Sequence, residues 1–410
     1  MNLEPRIPGH RFLHSPGPTR VPDEVVHAMS RQPMDLADPR VSQVIEACEV
    51  GLRRLLCTEQ SDVFMFAANG HGAWEATILN LLAPGQAVLI PGTGHFSETW
   101  AVQAEALGAR VVRTAWVEGE AIDTGAVAQA LRDDAARDIV AVFVVHTDTA
   151  TSLTSDLVAL RAAIDAADHP ALFVVDVVAS LAAAPFEMDA LRVNVAIGAS
   201  QKGLMVPPGL SFVAVDAAAM AVARANPMPR FYWDWARRQA ELSYRKFCGT
   251  PPQSLLMGLE AALALIFREG VDQVHARHRW MADAVHAAVA GWSEGGGLRF
   301  FGRVAQTRSV SVTTLLMAPG TDPEAVRSLA RERFQVAIAG GLGPLTGRVL
   351  RIGHLGDINP AMVLGCLAGL EAALRASGVP LGGQGVQRAV EVFARTPPQP
   401  LAALGTRPIR

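Results

Sequence analysis

A chain of 410 residues is long enough for two or three domains with sizeable cores. Half of it is apolar, yet the runs at 139–145 and at 171–186, the latter broken by Asp176, fall short of the ~18–20 residues that cross a bilayer, and the opening MNLEPRIPGHRFLHSPGP has no apolar signal-peptide core. Lys+Arg 36 against Asp+Glu 39 leaves a net charge of −3, which does not suggest a nucleic-acid partner, and four scattered cysteines without a C-x-x-C pair read as a reduced, cytoplasmic chain.

In chain order, Val41, Val44, Ile45, Cys48, Leu52, Leu55 and Leu56 mark an amphipathic helix. Short β-rich runs follow at 63–67, 87–90, 110–115, 139–145, 171–175, 195–199 and 210–215. Helical patterns lie between several of them, as in Trp74, Ile78, Leu81 and Leu82 at i, i+4, i+7 and i+8. Near-continuous apolar strands alternating with helices predict an α/β fold with a largely parallel sheet covered on both faces. Downstream, helices are expected near 252–269 and 271–290, then a glycine loop at 295–297 and a strand at 309–316. A helix near 323–334, the glycine-rich 340–343, a strand at 349–352 and a helix at 360–377 complete a smaller α+β unit. The Pro-rich tail from Thr396 is expected to be loose.

Lysine occurs only at 202 and 246, so 34 of the 36 basic residues are arginine. Chemistry that needs a primary amine must use Lys202 or Lys246. Neither stands in a G-K-[ST] phosphate loop, and neither Tyr232 nor Tyr244 precedes a lysine by four, as in short-chain dehydrogenases. Ligands of open α/β sheets bind beyond the carboxyl ends of strands, and three such ends stand out. The first runs into Asn69-Gly70-His71-Gly72 and a helix, which reads as an ordinary turn or as an anion cup of free backbone N–H groups. The second ends on Asp176, a carboxylate that needs a partner once buried: a loop N–H, an arginine, or a protonated heteroaromatic nitrogen. The third ends in Ser200-Gln201-Lys202-Gly203, where desolvation would lower the lysine pKa and make its amine nucleophilic. Lys246, beside Arg245 in a polar stretch, reads as a solvated charge. Anion cup, strand-end carboxylate and amine nucleophile together are what pyridoxal phosphate requires.

With these residues in hand, the chain resembles the class V aminotransferases of pyridoxal-phosphate fold type I, above all the serine–glyoxylate and alanine–glyoxylate group. The resemblance runs from about residue 15 to 393. It is carried by Ser15-Pro16-Gly17-Pro18-Thr19, the glycine loop at 69–75, residues 146–151 and 176–181, SQKGLMVPPGL at 200–210, Thr250-Pro251-Pro252 and RIGHLGDIN at 351–359. It implies a seven-stranded, mainly parallel sheet between helices in a large domain at 23–268, and a small α+β domain at 269–395. Residues 1–22 would serve both the site and the small domain, with a tail at 396–410. Lys202 would join pyridoxal 5'-phosphate as a Schiff base and carry the proton at the substrate Cα. Asp176 would face the pyridine nitrogen, and Gly70, His71 and Gly72 with Gln201 would hold the phosphate. Phe96 would stack on the ring and Thr149 would bond its hydroxyl. Arg351 would clamp the substrate carboxylate near Pro16 and Gly17. Thr250 would reach the phosphate of the neighbouring subunit, making the protein a homodimer with shared sites and no membrane or nucleic-acid partner. The implied reaction is ping-pong transfer of an amino group from serine or alanine, with aspartate a further donor, to glyoxylate or pyruvate.

The departures bear on the donor. Asp148 stands where many relatives have glutamate, and Phe247 where they have tyrosine. Residues 36–39 replace a His-Arg-Ser-Pro stretch and remove a second carboxylate clamp, for which Arg20 is the candidate substitute. His146 reads as a core histidine, and His354, close to Arg351, as a candidate pocket wall. The competing readings are transamination of free pyridoxamine with pyruvate, kynureninase-like hydrolysis, a non-catalytic protein on the cofactor fold, and a nicotinamide dehydrogenase, which lacks its glycine fingerprint. A cysteine desulfurase fits poorly, because Cys366 falls at apolar spacing within a helix.

Overall fold

Seven short runs of Val, Ile, Phe and Ala pair into a single sheet in the computed structural model, which describes residues 9–395. The tail expected to be loose, and the first eight residues of the 1–22 segment, lie outside the described residues. The strands are β1 (Asp62–Phe66), β2 (Ala87–Pro91), β3 (Arg110–Thr114), β4 (Ile139–Val145), β5 (Leu172–Asp176), β6 (Val195–Ala199) and β7 (Ser211–Val215). Their order is β3-β2-β4-β5-β6-β7-β1. All pair in parallel except β7, which runs antiparallel to both β6 and β1.

Successive strand side chains point to opposite faces, and the cores divide accordingly. Val63, Met65, Leu89, Val142, Val144 and Phe173 face one layer, which holds α1 (Asp23–Met29), α2 (Pro39–Leu56), α5 (Thr124–Asp133), α6 (Leu157–Ala166) and α8 (Gln253–Glu269). Phe64, Phe66, Val88, Ile90, Phe143 and Val174 face the other, with α3 (Gly70–Leu81), α4 (His95–Ala106) and α7 (Ala217–Ala225). Local chemistry sets the ends of α2: Asp38 caps it by accepting the Arg40 N–H, Pro39 occupies the first turn, and Cys57 turns left-handed past its end. α1 had no sequence signal, since only Val25 and Ala28 of its seven residues are buried.

The smaller sheet is antiparallel throughout, in the order β8 (Leu298–Phe300), β9 (Val312–Met317), β11 (Val349–Gly353), β10 (Ala339–Gly340). Together with α9 (Val271–Ser293), α10 (Pro323–Arg333), α11 (Pro360–Ala376) and α12 (Gly385–Phe393), it encloses a third core around Trp292, Leu315, Leu350, Leu367 and Leu370. β9 starts three residues later than the expected 309, because Ser309 and Ser311 bond to each other and leave the ladder.

The N-terminal segment joins the two sheets. Phe12–Leu13 pairs in parallel with Val336–Ala337. His14 donates its N–H to Ala337 and accepts that of Gly353. Five residues on, the Thr19 hydroxyl donates to the Lys202 carbonyl at 3.0 Å. Among the described residues, no helix is long and apolar enough to cross a membrane.

Candidate active site

β2 leads to β3 on one side and the chain returns to β4 on the other, so the strand order reverses there and opens a crevice at the carboxyl ends. The loops after β1, β2, β4, β5 and β6 all end at this edge. The loop after β6 is closed on itself: Ser200 accepts the Val206 N–H at 3.0 Å, and its hydroxyl donates to Pro207 at 2.7 Å. Lys202 stands at its tip and donates to the Pro16 carbonyl of the N-terminal segment. Burial, reinforced by the Arg351 cation, lowers its amine to about 8 against the pull of Asp176 and Asp148.

Asp176, the last residue of β5, is buried and held on both oxygens. Oδ1 accepts the Val178 N–H and Oδ2 the Trp74 indole N–H, each at 2.7 Å. Burial outweighs these donors and the nearby Lys202, and pushes the carboxyl up to about 6. At the start of α3, Asn69 caps the helix by accepting the Gly72 N–H. The N–H groups of Gly70 and His71 find no acceptor within the helix, as expected of its first turn.

A cavity of about 300 Å³ gathers eight of the expected residues: Gly17, Gly70, His71, Phe96, Thr149, Asp176, Gln201 and Lys202. The buried Oε1 of Gln201 has no partner. Pro16 contributes its carbonyl to Lys202 rather than a wall. Gly72 does not line the cavity; a Cβ there would lie 2.9 Å from the Trp233 ring, so close packing explains the glycine. Thr250 is exposed and away from the cavity. Arg351, on β11, lies one layer behind: buried, it donates from Nη1 to the Thr149 carbonyl at 2.9 Å and from Nε to Gly340 at 2.6 Å. Burial lowers it to about 10, and no carboxylate pairs with it among the described residues. Asp148 is bonded instead by Thr93, by the Phe96 N–H and by the Ala150 N–H.

Several expectations need correction. Arg20 is exposed and leans toward Asp23 at 3.7 Å, so it supplies no second clamp to the cavity. Lys246 is not a solvated charge: it pairs at 2.8 Å with Glu49, which α2 buries. His354 is fully buried between Thr313 and the Val310 carbonyl and does not wall the cavity. His146 is the core histidine expected, bonded to Ser180 at 2.8 Å. Cys366 is buried in α11, where burial pushes its thiol up and out of nucleophilic range. No cluster of His, Cys, Asp and Glu able to hold a metal occurs among the described residues. Sequence reasoning placed Asn69 in the glycine loop without its capping role, which the cap signal ahead of a helix would have supplied, and took Trp74 as core.

Gly17 has φ +136°, and a Cβ on it would lie 2.5 Å from the Lys202 Nζ. Gly17→Ala is therefore expected to displace the lysine or the segment over it. Thermal melting should show a loss of about 1–3 kcal/mol, and activity should fall with it.

The aminotransferase class-V family model matches residues 11–353. The chain is 38% identical to a serine–glyoxylate aminotransferase of Methylorubrum extorquens, over 96% of this chain and 98% of that one. It is 36% identical to an L-aspartate–glyoxylate aminotransferase of Paracoccus denitrificans, covering 93% and 96% respectively. The crystal structure of a ureidoglycine–glyoxylate aminotransferase from Bacillus subtilis superposes with a TM-score of 0.87 at 28% identity, over 96% of this chain and all of the other.

Proposed function

We propose a reaction from a fixed premise: the chain belongs to the class V aminotransferase family. The reaction is transfer of an amino group from a small monocarboxylic amino acid, serine or alanine, to glyoxylate or pyruvate, with pyridoxal 5'-phosphate as cofactor. The observation that carries it is a desolvated amine, Lys202, in one cavity with a strand-end carboxylate, Asp176.

The residues fit that cofactor. The free N–H groups at the start of α3 suit a phosphate, and Gln201, which lines the same cavity, would serve it through its side-chain NH2. Asp176, held by neutral donors only, suits a cationic ring nitrogen. When bound, pyridoxal phosphate supplies an electron-accepting ring that stabilises negative charge at the substrate Cα. Arg351 has Nε and one Nη1 hydrogen committed to carbonyls, and the remaining guanidinium edge can receive the α-carboxylate as a fork. Lys202, with its amine near 8, can both take and return the Cα proton close to neutral pH. Gly17 and Pro18 line the cavity beside the Lys202 amine.

The donor follows from charge. Besides Lys202 in the cavity and Arg351 one layer behind it, no cation is placed for the substrate among the described residues, and Arg20 does not enter the cavity. A second carboxylate would find no partner, which places aspartate behind serine and alanine. Free pyridoxamine would leave the free N–H groups at the start of α3 without an anion. The exposed Thr250 suits a role across a homodimer interface.

The test is a single-turnover screen of the purified protein against individual amino acids, following the visible absorbance of the bound cofactor. Serine or alanine is expected to bleach it and glyoxylate or pyruvate to restore it. Bleaching by pyridoxamine alone, or by aspartate alone, overturns the substrate assignment.

A further inference from the structure

Trp74 touches three of the residues assigned to the cofactor. It lies one turn into α3, 2% exposed, and its indole N–H bonds Asp176 Oδ2 at 2.7 Å. Its ring is fixed in turn: Trp100 stacks on it at 5.1 Å and 11°, and Phe143 stacks on Trp100 at 4.6 Å. His71 packs against it at 4.6 Å, and Phe96 meets it edge-on at 6.4 Å.

The bond is not a by-product of burying an indole. Trp100, Trp116 and Trp235 each bury Nε1 with no partner, whereas Trp233 and Trp292 donate to Glu75 and Glu371, so burial alone does not give an indole a partner in this chain. With Val178 on one oxygen and Trp74 on the other, rotation of the Asp176 carboxylate is blocked. Both donors are neutral. An arginine in place of Trp74 would neutralise the carboxylate; an indole orients it and leaves its charge for another cation.

We propose that Trp74 is a positioning residue: its indole N–H fixes the Asp176 carboxylate, ionised, in the orientation that meets the protonated ring nitrogen of the cofactor. The proposal rests on the cofactor assignment above. The donor also opposes the upward push of burial on the Asp176 carboxyl, so losing it moves that group further from ionisation.

Two measurements on the full chain test this. With its seven tryptophans labelled with 15N at the indole, Asp176→Asn is expected to shift one N–H resonance far more than the rest, the one that Trp74→Phe removes. Trp74→Phe keeps a ring in the stack but lacks the donor. It is expected to bind pyridoxal phosphate at least about tenfold more weakly, and to move the acid limb of its kcat profile up by about one pH unit. A merely structural role would lower the melting temperature and leave that limb in place, which would overturn the proposal. Should Trp74→Phe fail to fold, the Asp176→Asn comparison still decides, since no indole response to it means no coupling. If the wild-type chain binds no pyridoxal phosphate, the cofactor assignment falls and this proposal with it. If it binds and Trp74→Phe matches it, only the role of Trp74 falls.

Discussion

Lys202→Ala is expected to lose turnover by at least about 10³-fold, the scale of removing a positioned acid–base group alone. The visible absorbance of bound cofactor should vanish as well. No other side chain can substitute. The second lysine, Lys246, is tied to Glu49 at 2.8 Å, and the arginines cannot serve as amine nucleophiles. A variant that kept both absorbance and turnover would remove the basis of the assignment. The stability effect has the opposite sign. In the protein without cofactor, the Lys202 amine titrates near 8 rather than 10.5, so the native state holds it at a cost below pH 8. Between pH 8 and 10.5 the unfolded chain binds more protons, and wild-type stability rises with pH across that window. Lys202→Met removes the cost. Its melting temperature at neutral pH should exceed that of the cofactor-free wild type by an amount equivalent to roughly 3 kcal/mol, a gap that closes toward pH 10.5. Melts at pH 7 and pH 10 measure both.

Arg351→Gln is expected to lower kcat/KM for the amino donor by about 10²-fold, from loss of a charge-assisted fork to the carboxylate. Arg351→Lys should recover little of it, because a point charge cannot span the Thr149 and Gly340 carbonyls while also meeting a carboxylate. A second readout separates this from misfolding. The Arg351 cation helps to depress the Lys202 amine, so in Arg351→Gln the amine should titrate higher. The pH midpoint for uptake of pyridoxal phosphate by the cofactor-free protein, which needs the free amine, should then move up from about 8. An unchanged midpoint together with unchanged donor KM would show that Arg351 serves only to tie β10 and the loop after β4 to β11.

The sequence pattern carried the large sheet almost completely. All seven β-rich runs became its strands with edges moved by a residue or so, because apolar runs bounded by turns report burial on both faces. The antiparallel seat of β7 between β6 and β1 was illegible, since pairing between distant segments leaves no local period. The same limit governed the site. Lys202, Asp176 and the Gly70–His71 turn were found from strand ends, whereas the Lys246–Glu49 pair spans 197 residues and had no local sign. Arg351 emerged from a motif, not from physics; its side chain reaches the site only through a contact 202 residues away. Trp74 sat in a clean helical period beside Ile78 and Leu81, and periodicity cannot distinguish a buried indole that packs from one that also donates.

The N-terminal segment has a consequence for how the chain is made. His14 closes onto Gly353, 339 residues later, and the residues after it hold the Lys202 loop, Pro16 accepting from the Lys202 amine and the Thr19 hydroxyl donating to the Lys202 carbonyl. A ribosome must therefore finish nearly the whole polypeptide before its earliest portion finds its seat. Until then the reactive amine lies unroofed in a half-built protein, and a folding unit released early would carry the lysine without its cover.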